Sequence, residues 1–364
     1  MSGGPVGVAV VGAGVISGQY LKNLTSFPDL RVVAIADIDT ARARAVADEY
    51  GVANAGTVAD TLAIPEVEIV VNLTIPAAHF DVAMAAVEAG KHVYGEKPLA
   101  LTPDDGEKLL SAAAERGLLV GNAPDTFLGA GLQSAIRALD SGIIGQPLAA
   151  VAATRGPGPE SWHPNPAFLF QRGAGPLFDI GPYYLTALVA ALGHVERVAA
   201  VARTARRQRT IGSGPLAGQV FDVEVPTHTV ALLDFGAGPS ASATFSFDSP
   251  VPERAIEITG TEGGLRLPDP NTFGGPLRVY DGDGWRDLPI SGSEAGRGLG
   301  VLDMARALRT GDPHRATGAL GLHVLETMTA IAESAEHGDF RTVASTVDRP
   351  APLPEGWDPL ISIG

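Results

Sequence analysis

Cysteine is absent from the 364 residues, which removes disulfides, thiolate nucleophiles, zinc ribbons and iron–sulfur clusters together and fits a reducing compartment. Basic residues are scarce. Lys and Arg number 26 against 41 Asp and Glu, and the formal charge of −15 argues against a nucleic-acid partner. Long apolar runs are missing at the N-terminus: Val6 to Val11 is too short for a signal core or a membrane span, and no basic region precedes it. A cytoplasmic protein without a membrane partner is expected. Metal ligands are sparse as well. His163 and His194 stand far apart without a spaced carboxylate, no His-x-x-x-His pair occurs, and no metal is expected. Abundant instead are 45 Gly and 28 Pro, about a fifth of the chain, in a sequence that is 45% hydrophobic and 18% charged. That composition is globular and turn-rich, and the length suits two domains.

The first third alternates short apolar runs with helical patterns. Val6 to Val11, Val32 to Ala36, Ile69 to Leu73, His92 to Tyr94 and Leu118 to Val120 read as strands. Their near-continuous apolar character is what a parallel sheet covered by helices on both faces requires. Between them, Asp39 or Thr40 can cap a helix through Ala41 to Tyr50 that stops at Gly51, and the helix after Ala77 stops at Gly90. Thr102, Pro103, Asp105 and Gly117 punctuate a further helix. Residues 1–122 are thus expected to form a doubly wound, Rossmann-type α/β domain.

After residue 122 the rhythm changes. A helical stretch near Thr126 to Ser141 precedes strand-like runs at Thr229 to Phe235, Ala241 to Phe247, Ala255 to Gly260 and Leu265 to Leu267, whose turn spacing argues for a mostly antiparallel sheet. Helices are expected again at Leu299 to Leu308 and Thr317 to His337, and the Pro-rich tail Asp348 to Gly364 is expected to lie over the surface. Residues 123–364 form the expected second domain. Arg203, Arg206, Arg207 and Arg209 are the only basic cluster and read as a solvated loop.

Chemistry begins at Gly12-Ala13-Gly14-Val15-Ile16-Ser17-Gly18, after the first strand and at the start of a helix whose amides and dipole can hold a pyrophosphate. Ser17 stands where the third fingerprint glycine belongs, and is small enough for helix and strand to approach. Asp37 ends the second strand 23 positions after Gly14, close to the expected spacing of about 20 for a carboxylate that reads ribose hydroxyls. It favours NAD over NADP, although Arg42 and Arg44 lie close enough in sequence to soften that preference. Two more strand-end loops follow, Asn72-Leu73-Thr74-Ile75-Pro76 with His79 behind it, and Tyr94-Gly95-Glu96-Lys97-Pro98. His79 reads either as a cofactor contact or as a helix-start residue. Lys97 is a costly charge at the end of a buried strand, and its bond to Pro98 is a candidate cis peptide.

These residues resemble the Gfo/Idh/MocA family, the glucose-fructose oxidoreductase and inositol dehydrogenase group. The match rests on Gly12 to Ser17, on Ala89-Gly90-Lys91-His92-Val93-Tyr94-Gly95-Glu96-Lys97-Pro98, and on Gly173 to Tyr184. The resemblance implies a second α/β domain with a large open sheet whose outer face often builds dimers or tetramers. It also implies that Gly12, Gly14, Val15, Ile16, Asp37, Thr74, Pro76, His79, Glu96 and Lys97 hold the cofactor, with Lys97 beside the nicotinamide and the reacting carbinol. Asp179-Ile180-Gly181-Pro182-Tyr183 departs from the family's Asp-x-Gly-x-His element and looks like its tyrosine variant. Tyr183 then joins Lys97 in handling the proton, and Asp179 orients the substrate or holds Lys97, unless it is a helix cap. An unperturbed tyrosine titrates near 10, so a base role needs a neighbouring cation.

The substrate loop is expected at Arg155 to Arg172, with Trp162, Phe168 and Phe170 as an apolar platform and His163, Asn165 and Arg172 as donors; packing of this loop against its own domain is the alternative. The function these features imply is an NAD(P)-dependent oxidoreductase acting on a CH–OH group of a sugar, cyclitol or related diol. Two alternatives share the fold: an enzyme that recycles bound NAD while cleaving a glycosidic bond, and a regulator that senses dinucleotide and sugar without turnover.

Overall fold

A computed structural model describes Gly3 to Gly364, so Met1 and Ser2 of the expected first domain lie outside the described residues. Contacts gather the chain into two units. The first comprises Met1–Gln133, Ser291–Leu325 and Pro350–Gly364, and the second Ser134–Ile290 with Glu326–Arg349. This division differs from a single cut at 122/123, because two later segments return to the first unit.

The first unit is built on six parallel strands, β1 (Val6–Val11), β2 (Leu30–Ala36), β3 (Asn54–Gly56), β4 (Ile69–Asn72), β5 (His92–Gly95) and β6 (Val120–Asn122). Their order is β3-β2-β1-β4-β5-β6, the doubly wound arrangement. Every residue of β1 and β4 is buried, as continuous apolar runs demand. The crossovers carry α1 (Ser17–Leu24), α2 (Thr40–Tyr50), α3 (Val58–Leu62), α4 (His79–Glu88) and α5 (Pro103–Ala114). Local signals set their ends. Asp39 accepts the amides of Ala41 and Arg42 at the start of α2, and Gly51 closes it with φ +69°. Thr102 likewise accepts the Asp105 amide ahead of α5. The short strand β3 is not marked in the sequence, and the expected helix 126–141 is a single turn at Thr126–Leu128 followed by a helix over Ala130–Asp140.

The tail belongs to this unit. Arg306 pairs with Asp29 at 2.8 Å, donates to the carbonyls of Asp358 and Ile361, and lies 4.7 Å over the Trp357 ring. Among the described residues no helix is long and apolar enough to cross a membrane.

The second unit holds a nine-stranded sheet of β7 (Pro147–Arg155), β8 (Arg197–Arg203), β11 (His228–Asp234), β12 (Ser240–Ser246), β13 (Glu253–Gly260), β14 (Gly264–Leu267), β15 (Leu277–Tyr280), β16 (Trp285–Leu288) and β17 (Arg341–Thr342), beside a two-stranded ribbon of β9 (Gln208–Thr210) and β10 (Val220–Asp222). The order is β16-β15-β14-β13-β7-β12-β11-β8-β17, antiparallel throughout except for the parallel pair β7 and β12. Helix Gly175–Leu192 packs on one face, where Tyr184 meets Phe245 edge to face at 6.3 Å. The opposite face is open. There Leu232, Ser242 and Val151 lie in register across three strands, with Leu232 and Val151 each 55% exposed.

Candidate active site

In the first unit the site starts at Gly12. Its φ is +102°, and a Cβ there would lie 2.6 Å from the Leu73 carbonyl oxygen, so only glycine lets the β1 and β4 exits close on each other. Gly14 faces the other way, and a Cβ on it would meet nothing within 4 Å. Ser17 fills the third fingerprint position by folding back, its buried hydroxyl donating to the Gly14 carbonyl at 2.7 Å. No side chain caps α1 and no acid occupies its first turn, while Val15 beside it is 98% exposed. An open approach, a helix start without a capping side chain and the positive dipole end fit a pyrophosphate.

Asp37 is buried and heavily engaged. Its Oδ2 accepts the Ala13 amide at 2.7 Å, its Oδ1 accepts the Asp39 amide at 2.9 Å, and Arg42 reaches it at 2.6 Å. Burial works against the charged form, but Arg42 and the two amides outweigh it and hold the carboxyl below the usual carboxylate range. Arg42 is therefore committed to the Asp37 carboxylate, and Arg44 to the carbonyls of Val52 and Ala53.

The two further loops are fastened from behind. Asn72 donates to the His79 carbonyl and accepts the Thr74 hydroxyl at 2.6 Å, which leaves Ile75 and Pro76 on the exposed rim. His79 is buried, with Nδ1 2.7 Å from the Pro98 carbonyl oxygen and Nε2 3.0 Å from that of Thr74. A neutral ring can donate to only one of them. His79 thus lies between two strand-end loops and is hydrogen-bonded to one of their carbonyls. Glu96 is buried too. It accepts the Tyr20 hydroxyl at 2.7 Å and the Lys97 amide at 3.0 Å, and Asn122 donates to the carbonyls of both Gly95 and Glu96. Burial, with Glu96 nearby, pushes the Tyr20 phenol well up, so it stays a neutral donor. Half-buried Lys97 follows on a cis bond to Pro98. Tyr20 and Asn122 had no motif of their own; the spacing of Tyr20 three residues past Ser17, on the strand-facing side of α1, is the one signal that points inward.

In the second unit, Asp179 and Tyr183 lie four apart on helix Gly175–Leu192 and so share a face. Ala174 is the N-cap position, so Asp179 is not the helix cap. Pro182 removes a helix amide directly beside Tyr183. The segment 155–172 folds into two short turns, Pro159–Ser161 and Ala167–Phe170. Trp162 is 68% exposed, and the His163 ring sits edge-on to both Trp162 and Phe168, at 5.6 and 5.5 Å. Arg172 is exposed at the end of the segment. Two expectations change here. Phe170 is not part of a platform but is fully buried with Leu169 and Phe247, because the turn Ala167–Phe170 points it inward. Arg209 is not a solvated loop residue either: it is 3% exposed, paired with Glu160 and Asp248.

Residues 6–123 match a family described as oxidoreductase, NAD-binding Rossmann fold, and residues 132–266 match the GFO/IDH/MocA C-terminal domain. The chain belongs to the Gfo/Idh/MocA oxidoreductase family. Its first unit accordingly contains the family's NAD-binding Rossmann domain. Inositol 2-dehydrogenase 3 of Saccharopolyspora erythraea is 34% identical over 161 residues, 43% of this chain and 48% of that relative, so the match spans about half the relative's length. D-glucoside 3-dehydrogenase of Escherichia coli K12 is 28% identical over 239 residues, 65% of this chain and 67% of the relative. Among solved structures, levoglucosan dehydrogenase in complex with NADH and L-sorbose shares the fold with a TM-score of 0.81 at 22% identity, over 94% of this chain and all of that one.

Proposed function

We propose that this Gfo/Idh/MocA protein is an NAD-dependent dehydrogenase or reductase acting on a CH–OH carbon of a sugar, cyclitol or related diol. The observation that carries the reading is the placement of Lys97: a cation just past the carboxyl end of β5, its amide fixed by Glu96 and its loop by Asn122 and His79, in the same parallel sheet whose β1 ends in a turn that fits a dinucleotide. The names of the relatives, an inositol dehydrogenase and a glucoside dehydrogenase, support the substrate class.

Bound nicotinamide supplies the hydride acceptor or donor. The chain's own residues do the rest. Gly12, Gly14, Val15 and Ile16 hold the pyrophosphate, Asp37 reads the ribose, and Thr74, Pro76 and Glu96 shape the nicotinamide end. Lys97 stabilises the alkoxide that forms as the carbinol loses its proton, and Tyr183 carries that proton. Asp179 orients the substrate, and Trp162, His163 and Arg172 contact it. A second copy of the chain on the open face of the nine-stranded sheet would give a homodimer or, by repetition, a homotetramer.

The test is a screen of reduced nicotinamide absorbance with NAD and NADP against aldoses, inositols and diols, with Lys97→Ala and Tyr183→Phe alongside. Turnover is expected with NAD, and each variant should lower kcat by roughly 10²- to 10⁴-fold, the usual worth of a positioned proton carrier. Full activity in Lys97→Ala would overturn the mechanism. Nucleotide held tightly without net reduction would favour the NAD-recycling alternative.

A further inference from the structure

A cavity of about 310 Å³ lies wholly within the second unit, with Asp179 on its wall. Trp162 and Pro159 give it apolar surface, and Thr154 and Asn271 give it hydrogen-bonding groups. Tyr184 also lines it. That side chain is 1% exposed, and its hydroxyl, alongside Thr154, is left without a full hydrogen bond. A buried hydroxyl in that condition is satisfied when a ligand brings a polar partner. The cavity's cations are already matched, Arg155 by Glu253 at 2.7 Å and Arg254 by Asp269 at 3.7 Å. Nothing there calls for an anion.

Beneath this cavity sits Arg209, which no motif marks. Its guanidinium pairs with Glu160 and Asp248, donates to the carbonyls of Pro157 at 3.2 Å and Phe247 at 3.1 Å, and lies 4.9 Å over the Phe170 ring. Pro157 belongs to the turn that leads to Trp162, and Phe247 follows β12; both line the cavity. One planar fork therefore ties together two neighbouring stretches of wall, the exits of the paired strands β7 and β12. Gly158 reflects the same crowding: its φ is +99°, and a Cβ on it would lie 2.7 Å from Arg209 Nη1.

We infer that Arg209 is a positioning residue for substrate recognition, holding in shape a cavity that takes a neutral polyhydroxylated ring. The inference rests on the dehydrogenase reading for its link to turnover, but not for binding. Lysine keeps the charge and cannot bridge two carboxylates and two carbonyls at once, so Arg209→Lys should loosen the wall while keeping the buried charge balance.

The experiment is calorimetric titration of the NADH-loaded, full-length protein with myo-inositol, methyl α-D-glucopyranoside and glucose 6-phosphate, repeated on Arg209→Lys and on Glu160→Gln, with melting temperature and NADH affinity as controls. At least one neutral ring should bind more tightly than the phosphate. Both variants should weaken it tenfold or more with NADH affinity within twofold, and with any active substrate the loss should appear in KM rather than kcat. Should Arg209→Lys not fold, Glu160→Gln decides alone, since it perturbs the same clip without removing the guanidinium. No neutral ring bound, tighter binding of the phosphate, or variants that bind like wild type would each overturn the inference. Sugar binding that obeys it without reduction of NAD would sink the dehydrogenase reading alone, whereas turnover at unchanged KM in both variants would sink this inference alone.

Discussion

The Asp37 carboxylate accepts the Ala13 amide at 2.7 Å, so the residue proposed to read the ribose also fastens the glycine turn proposed to face the pyrophosphate. Asp37→Ala removes both functions and releases Arg42. NADH affinity should fall roughly 10- to 100-fold, the scale of losing charge-assisted hydrogen bonds worth about 1.5–3 kcal/mol. NADPH should suffer less, because a released guanidinium can meet a 2′-phosphate. Fluorescence titration of both nucleotides checks this, and an unchanged NADH to NADPH ratio would remove Asp37 from cofactor choice.

Acid stability should depend on Glu68. Burial works against its charged form, but Arg309, gripping it at 2.9 and 2.7 Å, and the Gly7 amide hold the carboxyl below the usual range. The unfolded chain therefore takes up this proton first, near the ordinary glutamate value of about 4.3. The contribution is complete above that value and is lost as pH falls toward the lower native one. Glu68→Gln should lower Tm at neutral pH and flatten its decline below about pH 4. Parallel Tm curves for variant and wild type across that range would contradict the assignment.

His79→Ala removes a ring that lies 3.0 and 2.7 Å from the Thr74 and Pro98 carbonyls and donates to one of them. Loss of stability on the order of 1–3 kcal/mol is expected, together with weaker NADH binding as both loops relax. Thermal melting and nucleotide titration report the two effects separately. Wild-type behaviour in both would reduce His79 to a bystander.

The open sheet face should respond to charge. Glutamate at Val151 and Leu232, which border Ser242 in one row across β7, β12 and β11, would place two buried anions in any interface built there. Light scattering should show an oligomer for the wild type and a monomer for the double variant, with the same Tm at low concentration. A monomeric wild type would dispose of the proposal.

Legibility in the sequence followed the range of the interactions. Strand β1 is apolar end to end and β2, β4 and β5 each carry an unbroken apolar run, and Asp39 and Thr102 cap within three residues, so a local pattern carries each. The alanine-rich β7 and β8 read as nothing in particular. They are strands because β13 and β12 pair on both sides of β7, and β11 with β17 on both sides of β8, and such pairing has no local sign. The site divides in the same way. Gly12, Asp37 and Lys97 sit in short motifs with fixed spacing, whereas Arg209 finds Glu160 and Asp248 at separations of 49 and 39 residues. Phe170 deceived for a related reason, since an aromatic in a Pro-rich loop points wherever the turn sends it, and here Phe221 and Phe247 receive it.

The return of the tail to the first unit has a consequence for synthesis. Asp29 leaves the ribosome early, but its partner Arg306 comes 277 residues later, and the carbonyls of Asp358 and Ile361 that complete the cluster come later still. At about 5–20 residues per second, the nascent nucleotide domain waits on the order of ten seconds or more for its last brace. The stretch around Asp29 is therefore among the last in this sequence to gain its partners.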